Sequence, residues 1–311
     1  MSTAEAAAAG VTVVIPHYGD PALASHVVDA LFAQASARPI QVVVSDDASP
    51  LPFGQRDGVE VVRGDLNRGF GAAVNRGARV ARQPWLLILN SDVDVEPDFI
   101  DRFLGEAERH EPGFFGPSIA WGHTTLPSTR RFPRPWHPFG EQVVALDRWR
   151  QTPMLQRLRG FDLSSRPDRV TRVDWVSGAA MLLRTDDFRR IGGFDESFFL
   201  YSEEVDLQWR LRRAGVPAVH IGQASLRHYG GQSTDPALVR YRCMVSDLRY
   251  ARKRGRVLVQ SAGYAVAIAV NAGHDVVRRL RGERIAPRQR LQGAVRELQK
   301  AYRESGPPTE R

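Results

Sequence analysis

Over the first hundred positions, apolar residues fall into short continuous blocks separated by amphipathic stretches. Val11-Thr12-Val13-Val14-Ile15, Ile40-Gln41-Val42-Val43-Val44, Val59-Glu60-Val61-Val62 and Trp85-Leu86-Leu87-Ile88-Leu89 are too short for helices and rich in β-branched residues. Each reads as a strand. Asp20-Pro21 starts a helix, with Asp as N-cap and Pro in the first turn. Gly71–Arg82 reads as a second helix, and Pro97 opens a third. This βαβ alternation predicts a mostly parallel sheet with helices on both faces. Further on, Leu207, Leu211 and Ala214 recur at helical spacing, with Ser202 placed as an N-cap and Gly215 as a stop. From about Ala237 to Tyr302 the pattern is helical throughout.

Polar residues collect just past the strand ends. Pro16-His17-Tyr18 follows the first strand, Ser45-Asp46-Asp47-Ala48-Ser49 the second, and Asn90-Ser91-Asp92-Val93-Asp94 the fourth. In an open α/β sheet, ligands bind outside the carboxyl ends of the strands, so the three clusters converge on one crevice. Asp92 and Asp94 alternate, and in extended chain both can face one point, as a hard divalent cation holding diphosphate oxygens requires. Asn67-Arg68-Gly69-Phe70-Gly71 leads into a helix N-terminus, a place where backbone amides accept anions. It lacks Rossmann or P-loop spacing, and its glycines serve helix packing equally well.

Composition narrows the class. The chain has 311 residues, 42% hydrophobic and 25% charged, as a globular protein of one large domain or two smaller ones has. No stretch reaches the roughly 18 uninterrupted apolar residues of a membrane span. The start, Met1-Ser2-Thr3-Ala4-Glu5, has neither a basic nor a long apolar region, so no secretory signal is expected. The single cysteine, Cys243, excludes an internal disulfide and fits a reducing, cytoplasmic setting. A formal charge of +8 points to anionic partners. The basic residues concentrate in 130–134 and beyond Arg249.

Taken in order, Val14–Tyr18, Ser45–Ser49, Asn67–Gly77, Asn90–Asp94, Trp175-Val176-Ser177-Gly178-Ala179-Ala180, Gly192–Phe199, Tyr201-Ser202-Glu203-Glu204-Val205-Asp206-Leu207 and His228-Tyr229-Gly230-Gly231-Gln232-Ser233 resemble family 2 glycosyltransferases. These are inverting enzymes with the GT-A nucleotide-sugar fold. The resemblance covers about Val11 to Asp235 and is strongest to bacterial rhamnosyltransferases of cell-wall and surface-polysaccharide assembly.

The resemblance implies roles. Pro16, Tyr18, Asp46, Asn67, Gly69, Asn75, Asp92, Gly178 and Ala179 fall where the donor binds, with Asp46 on the nucleotide base and small residues beside the sugar. Asp92 and Asp94 match the Asp-x-Asp motif for Mg²⁺ or Mn²⁺, Asp94 as direct ligand and Asp92 nearer the ribose or metal waters. His228 matches a third ligand. Glu204 stands where the family has the second acid of Glu-Asp, the general base, and its longer side chain leaves Glu203 and Asp206 open for the role. Residue type alone gives plainer readings. The three acids favour a helix start through the macrodipole, Asp46 caps a turn, and a lone histidine is a satisfied surface group.

The expected organisation is a disordered 1–10, a catalytic domain over 11–235, a helical region over 236–305 and a disordered tail over 306–311. Trp121–Arg172 interleaves prolines, arginines and aromatics, as either a surface loop or an acceptor-side lid. Val257–Ala272 is apolar between Arg252, Lys253, Arg254, Arg256 and Arg278, Arg279, Arg281. It reads either as a core helix or as a segment lying on an anionic membrane from the cytoplasmic side.

The implied activity is metal-dependent transfer of rhamnose from dTDP-rhamnose to a polyprenyl-diphosphate-linked or other glycan acceptor. UDP-hexose or UDP-galactofuranose are alternative donors. A sugar-nucleotide pyrophosphorylase would carry a Gly-rich, Arg-containing loop after its first strand, where this chain has Pro16-His17-Tyr18. A nucleic-acid-binding protein would need a recognisable basic and aromatic module, and none is visible.

Overall fold

The computed structural model describes residues 9–121, 128–229 and 235–307. Most of the expected disordered ends, Pro127, and Gly230 to Ser233 of the last motif lie outside the described residues.

Among the described residues eleven strands run in chain order as β1 (Val11–His17), β2 (Ile40–Asp46), β3 (Val59–Arg63), β4 (Trp85–Leu89), β5 (Val93–Val95), β6 (Phe114–Trp121), β7 (Thr129–Arg130), β8 (Val170–Val173), β9 (Trp175–Val176), β10 (Ala180–Arg184) and β11 (Ala218–His228). The helices are α1 (Pro21–Phe32), α2 (Phe70–Ala78), α3 (Phe99–Arg109), α4 (His137–Gln142), α5 (Pro153–Leu158), α6 (Thr185–Arg190), α7 (Glu203–Arg213), α8 (Pro236–Lys253), α9 (Val257–Leu280) and α10 (Pro287–Glu304). The chain divides into two compact units. One holds residues up to Arg130, Ser164–Phe199 and Glu203–Ser233; the other holds Arg131–Leu163, Leu200–Ser202 and the chain from Thr234. Residues 131–163, placed by the sequence inside the catalytic domain, thus group with the C-terminal helices.

The first unit is built on a mixed sheet in the order β3-β2-β1-β4-β10-β6-β11-β5, with β8 on β11. The expected parallel sheet is its β3-β2-β1-β4 half. In the other half β10 runs antiparallel to β4, and β11 runs parallel to β6 but antiparallel to β5. Strand residues alternate between two cores. Val13, Ile15, Leu87 and Leu89 face Val27, Leu31, Ile100 and Phe103 of α1 and α3. Val14, Val43, Leu86 and Ile88 face Val74 of α2, Phe188 of α6, and Leu207 and Leu211 of α7. Burial on both faces is why these strands read as unbroken apolar runs.

Local signals set the helix starts. Asp20 caps α1 by accepting from Ala22 N at 2.9 Å. Ser202 does not take the extended conformation of an ordinary N-cap; it and Tyr201 have φ of +64° and +71° just before α7.

In the second unit Met244, Leu248, Tyr264 and Ala301 form a small core between α8, α9 and α10. Beside it lies a buried polar knot. Gln260 Nε2 and Tyr264 Oη donate to Asp247 Oδ2 at 2.6 and 3.0 Å. Burial pushes the Asp247 carboxyl up to about 6.

Candidate active site

The carboxyl ends of β1 and β4 lie on one edge of the sheet because the two strands are parallel neighbours. β10 runs the other way beside β4, so it begins where β4 ends. Asn90 N donates to Ala179 O at 3.0 Å, joining the Asp92/Asp94 turn to the Gly178-Ala179 segment. Val93 and Val95 of β5 are buried in the core, so Asp94 between them lies on the opposite face, and Asp92 sits in the turn just before the strand. This short strand, not expected from the sequence, pairs Val93 with His228 of β11.

That pairing brings His228 to the acids. Its Nε2 lies 2.9 Å from Asp92 Oδ1 and 3.4 Å from Asn90 Nδ2. Among the described residues, Asn90 Oδ1 is buried with no hydrogen-bond partner. A carboxylate, an imidazole and an amide oxygen at one strand end form a donor set suited to a divalent cation. Asp94 points elsewhere: its Oδ1 is 3.6 Å from His26 Nε2 of α1, and its Oδ2 accepts from Tyr229 Oη at 3.3 Å. Asp92 and His228 are therefore already paired, whereas no group of three His, Cys, Asp or Glu side chains converges as a metal site among the described residues.

The first turn of α7 supplies the other acids. A Cβ placed on Gly178 would meet Glu204 Cγ at 3.7 Å and Cδ at 3.9 Å, so Glu204 lies against the open face of that glycine. Gln208, one turn further on, fixes this arrangement. Its Oε1 accepts from Val176 N at 2.8 Å and its Nε2 donates to Val176 O at 2.9 Å, clamping β9 to α7. Glu203 is buried, and Oε2 has no hydrogen-bond partner among the described residues. Burial, and then repulsion from Glu204, raise its carboxyl well above the usual range. Asp206 is fully buried and accepts from Arg210 Nε at 2.8 Å. Arg210 in turn donates to Ile191 O and Gly193 O at 2.9 and 2.7 Å. Asp206 thus holds the arginine that closes the glycine turn.

Several expected donor residues are committed to the protein's own loops. Asp46 is fully buried; its carboxylate accepts from Ser49 N at 2.7 Å, from Phe53 N at 3.1 Å and from Arg63. A base reaching this acid must displace or share Arg63. Asp47 Oδ2 accepts from Arg68 N and Gly69 N at 2.9 and 2.7 Å, and its Oδ1 from Arg76 Nη2 at 3.1 Å. The amides that the sequence offered to an anion before α2 are therefore taken by an internal carboxylate. Gly69 is required by conformation: φ is +94°, and a Cβ would lie 1.9 Å from Phe199 O. Asn75 Oδ1 accepts from Phe194 N at 2.9 Å, and Nδ2 donates to Phe194 O at 3.0 Å. These geometries make Gly69 and Asn75 builders of loops. Asn67 is exposed and accepts from Gly69 N at 3.2 Å. Pro16 pairs with Ser45 in the sheet, and Tyr18 is exposed just beyond.

Sequence reasoning missed Gln208, Arg63 and His26, and named Asp47 only as a member of the polar cluster after β2. Gln208 alone left a trace, as a polar residue one helical turn after Glu204.

Comparison with known proteins agrees with this geometry. The model of glycosyl transferase family 2 matches residues 12–159. The chain is 34% identical over 225 residues to an N-acetylglucosaminyl-diphospho-decaprenol L-rhamnosyltransferase of Mycobacterium tuberculosis, covering 65% of this chain and 71% of that protein. Its fold resembles a mannosyltransferase from Pyrobaculum calidifontis solved with GDP-Man and Mn²⁺, with TM-score 0.54, 15% identity and coverage of 96% and 87%. It also resembles GalNAc-T7 solved with UDP, GalNAc and Mn²⁺, with TM-score 0.56, 15% identity and coverage of 78% and 48%. A mixed sheet with its acids at the strand ends, these GT-A neighbours and a relative matched over most of its length lead to one conclusion: the chain belongs to glycosyltransferase family 2 and is a glycosyltransferase.

Proposed function

We propose that the chain is an inverting, metal-dependent rhamnosyltransferase that uses dTDP-rhamnose and a polyprenyl-diphosphate-linked sugar acceptor. The observation that carries the sugar and the acceptor is the 34% identity to the mycobacterial decaprenol-linked rhamnosyltransferase. A lipid-linked acceptor places the work at a membrane surface, on the cytoplasmic side where nucleotide sugars are made.

In this reading Glu204 takes the proton from the acceptor hydroxyl as that oxygen attacks the anomeric carbon. Gly178 leaves room beside it for the sugar. Gln208 holds the two elements in register, and burial beside Glu204 raises the Glu203 carboxyl well above the usual range. Asp92 and His228, with Asp94 able to join them, would hold Mg²⁺ or Mn²⁺, the imidazole favouring Mn²⁺. A cation held there would supply Lewis-acid stabilisation of the diphosphate's charge. A single displacement inverts the anomeric centre.

The test is a thermal-shift screen of dTDP-rhamnose, UDP-galactofuranose and UDP-hexoses with and without Mn²⁺, followed by transfer to a short polyprenyl-diphosphate sugar. A true donor stabilises the protein by mass action. Stabilisation and transfer with a UDP-sugar alone would replace the rhamnosyl reading, and a product with retained configuration would exclude the mechanism.

A further inference from the structure

Helix α9 is inside out. Its buried positions include Gln260 and Tyr264, which bond Asp247 of α8, and Asp275, whose carboxylate lies 3.2 Å from Arg290 Nε of α10. Its solvent-facing positions include Leu258, Val259, Val266, Val270, Val277 and Leu280, with Leu258 71% and Leu280 81% exposed. Every other exposed position from 258 to 277 is Ala, Gly or Val. A helix of 24 residues is about 36 Å long, so this apolar face is extended and unbroken by charge over most of its length. Buried polar groups and an exposed apolar face together reverse the usual division, and such a face marks a contact surface.

Charge identifies what covers it. Lys253 and Arg256 are exposed at the start of the helix, and Arg279, Arg281 and Arg284 at its end. A second copy of α9 laid alongside would bring basic ends together whether it ran parallel or antiparallel. No described helix is long and apolar enough to cross a membrane. The pattern is that of a helix lying in the plane of an interface, its apolar side in the acyl boundary and its basic ends among anionic headgroups.

We infer that the exposed face of α9 docks the protein on an anionic lipid bilayer. The inference deepens the proposed function by giving it a membrane-binding surface, and it rests on that reading only for why a membrane is needed.

The experiment is co-sedimentation of the full chain with phosphatidylglycerol–phosphatidylcholine vesicles, against pure phosphatidylcholine, with no sugar donor or acceptor present. Its failure would therefore leave the transferase reading standing. Binding is expected to the anionic vesicles and to fall as salt rises. Replacing Arg256, Arg279, Arg281 and Arg284 by Gln should weaken it on the order of 10²-fold or more at low salt. V266D/V270D should abolish it while the melting temperature and circular dichroism stay as in the wild type. Three results overturn the proposal, the first two being no sedimentation of wild type at low salt and undiminished binding by V266D/V270D. A third is a lipid-free dimer by light scattering that V266D/V270D converts to monomer, which would make the face a self-interface.

Discussion

His228 Nε2 sits 2.9 Å from Asp92 Oδ1, although 136 positions separate them in the chain, because β11 pairs antiparallel with β5. The contact joins the last motif of the first unit to the acidic turn after β4.

The first prediction follows from it. Asp92→Ala and His228→Ala should remove metal-dependent binding of a nucleoside diphosphate. Asp94→Ala should weaken it without unfolding the chain, since Asp94 lies in a half-exposed edge strand and its loss opens no core cavity. Calorimetry with Mn²⁺ and dTDP or UDP measures this. Unchanged metal-dependent binding in all three variants would remove the cation from the site.

The second prediction separates the acids of α7. Glu204→Gln should lower turnover by about 10² or more with donor binding kept. Asp206→Asn should instead destabilise the fold by about 3 kcal/mol, because it breaks a buried pair and leaves Arg210 without its carboxylate. Single-turnover kinetics and urea melts are the two readouts. A stable but inactive Asp206→Asn, beside an active Glu204→Gln, would move the base to Asp206.

Two glycines should respond differently to the same change. Gly69→Ala forces φ of +94° on an alanine and drives its Cβ into Phe199 O, so a loss of about 2 kcal/mol or more is expected. Gly178→Ala meets only ordinary contacts with Glu204, so stability should hold while transfer slows. Equal melting temperatures for both variants would contradict the close approach at Gly69.

A fourth prediction concerns pH. The Asp247 carboxyl is raised to about 6 in the folded chain from an ordinary 3.8. Because the folded value is the higher, stability is greatest below about pH 4 from this group and is lost as pH rises through 6. The difference is worth about 3 kcal/mol, as an order of magnitude. Asp247→Asn keeps an acceptor for Gln260 and Tyr264, so it should stabilise the protein at pH 7.5 and make little difference at pH 4. Chemical denaturation at the two pH values checks the sign.

Much of the fold was legible in the sequence. Trp85–Leu89 is a strand with the bounds its apolar run predicts, and Asp20 caps the helix that Pro21 opens. The helix expected over 71–82 forms over Phe70–Ala78, and the apolar helix expected over 257–272 extends to Leu280. The strand after Asp92 was hidden, since three residues carry no period and β5 exists only through pairing with β11.

The sequence by itself determined the four strands of the parallel half, the placing of polar clusters at their ends and the family, because each depends on residue types a few positions apart. Tertiary structure decided which of those polar groups remain available. Asp46 and Asp47 close their own loops, and Asn75 clasps Phe194 from 119 residues away. Buried polar groups must find partners, and where a ligand site and a loop compete for one carboxylate, only the folded positions settle it. The same holds for α9. Its composition fits a core helix and a membrane-facing helix alike, and the direction of its apolar face was set by Asp247, Gln260 and Tyr264 bonding on the inner side.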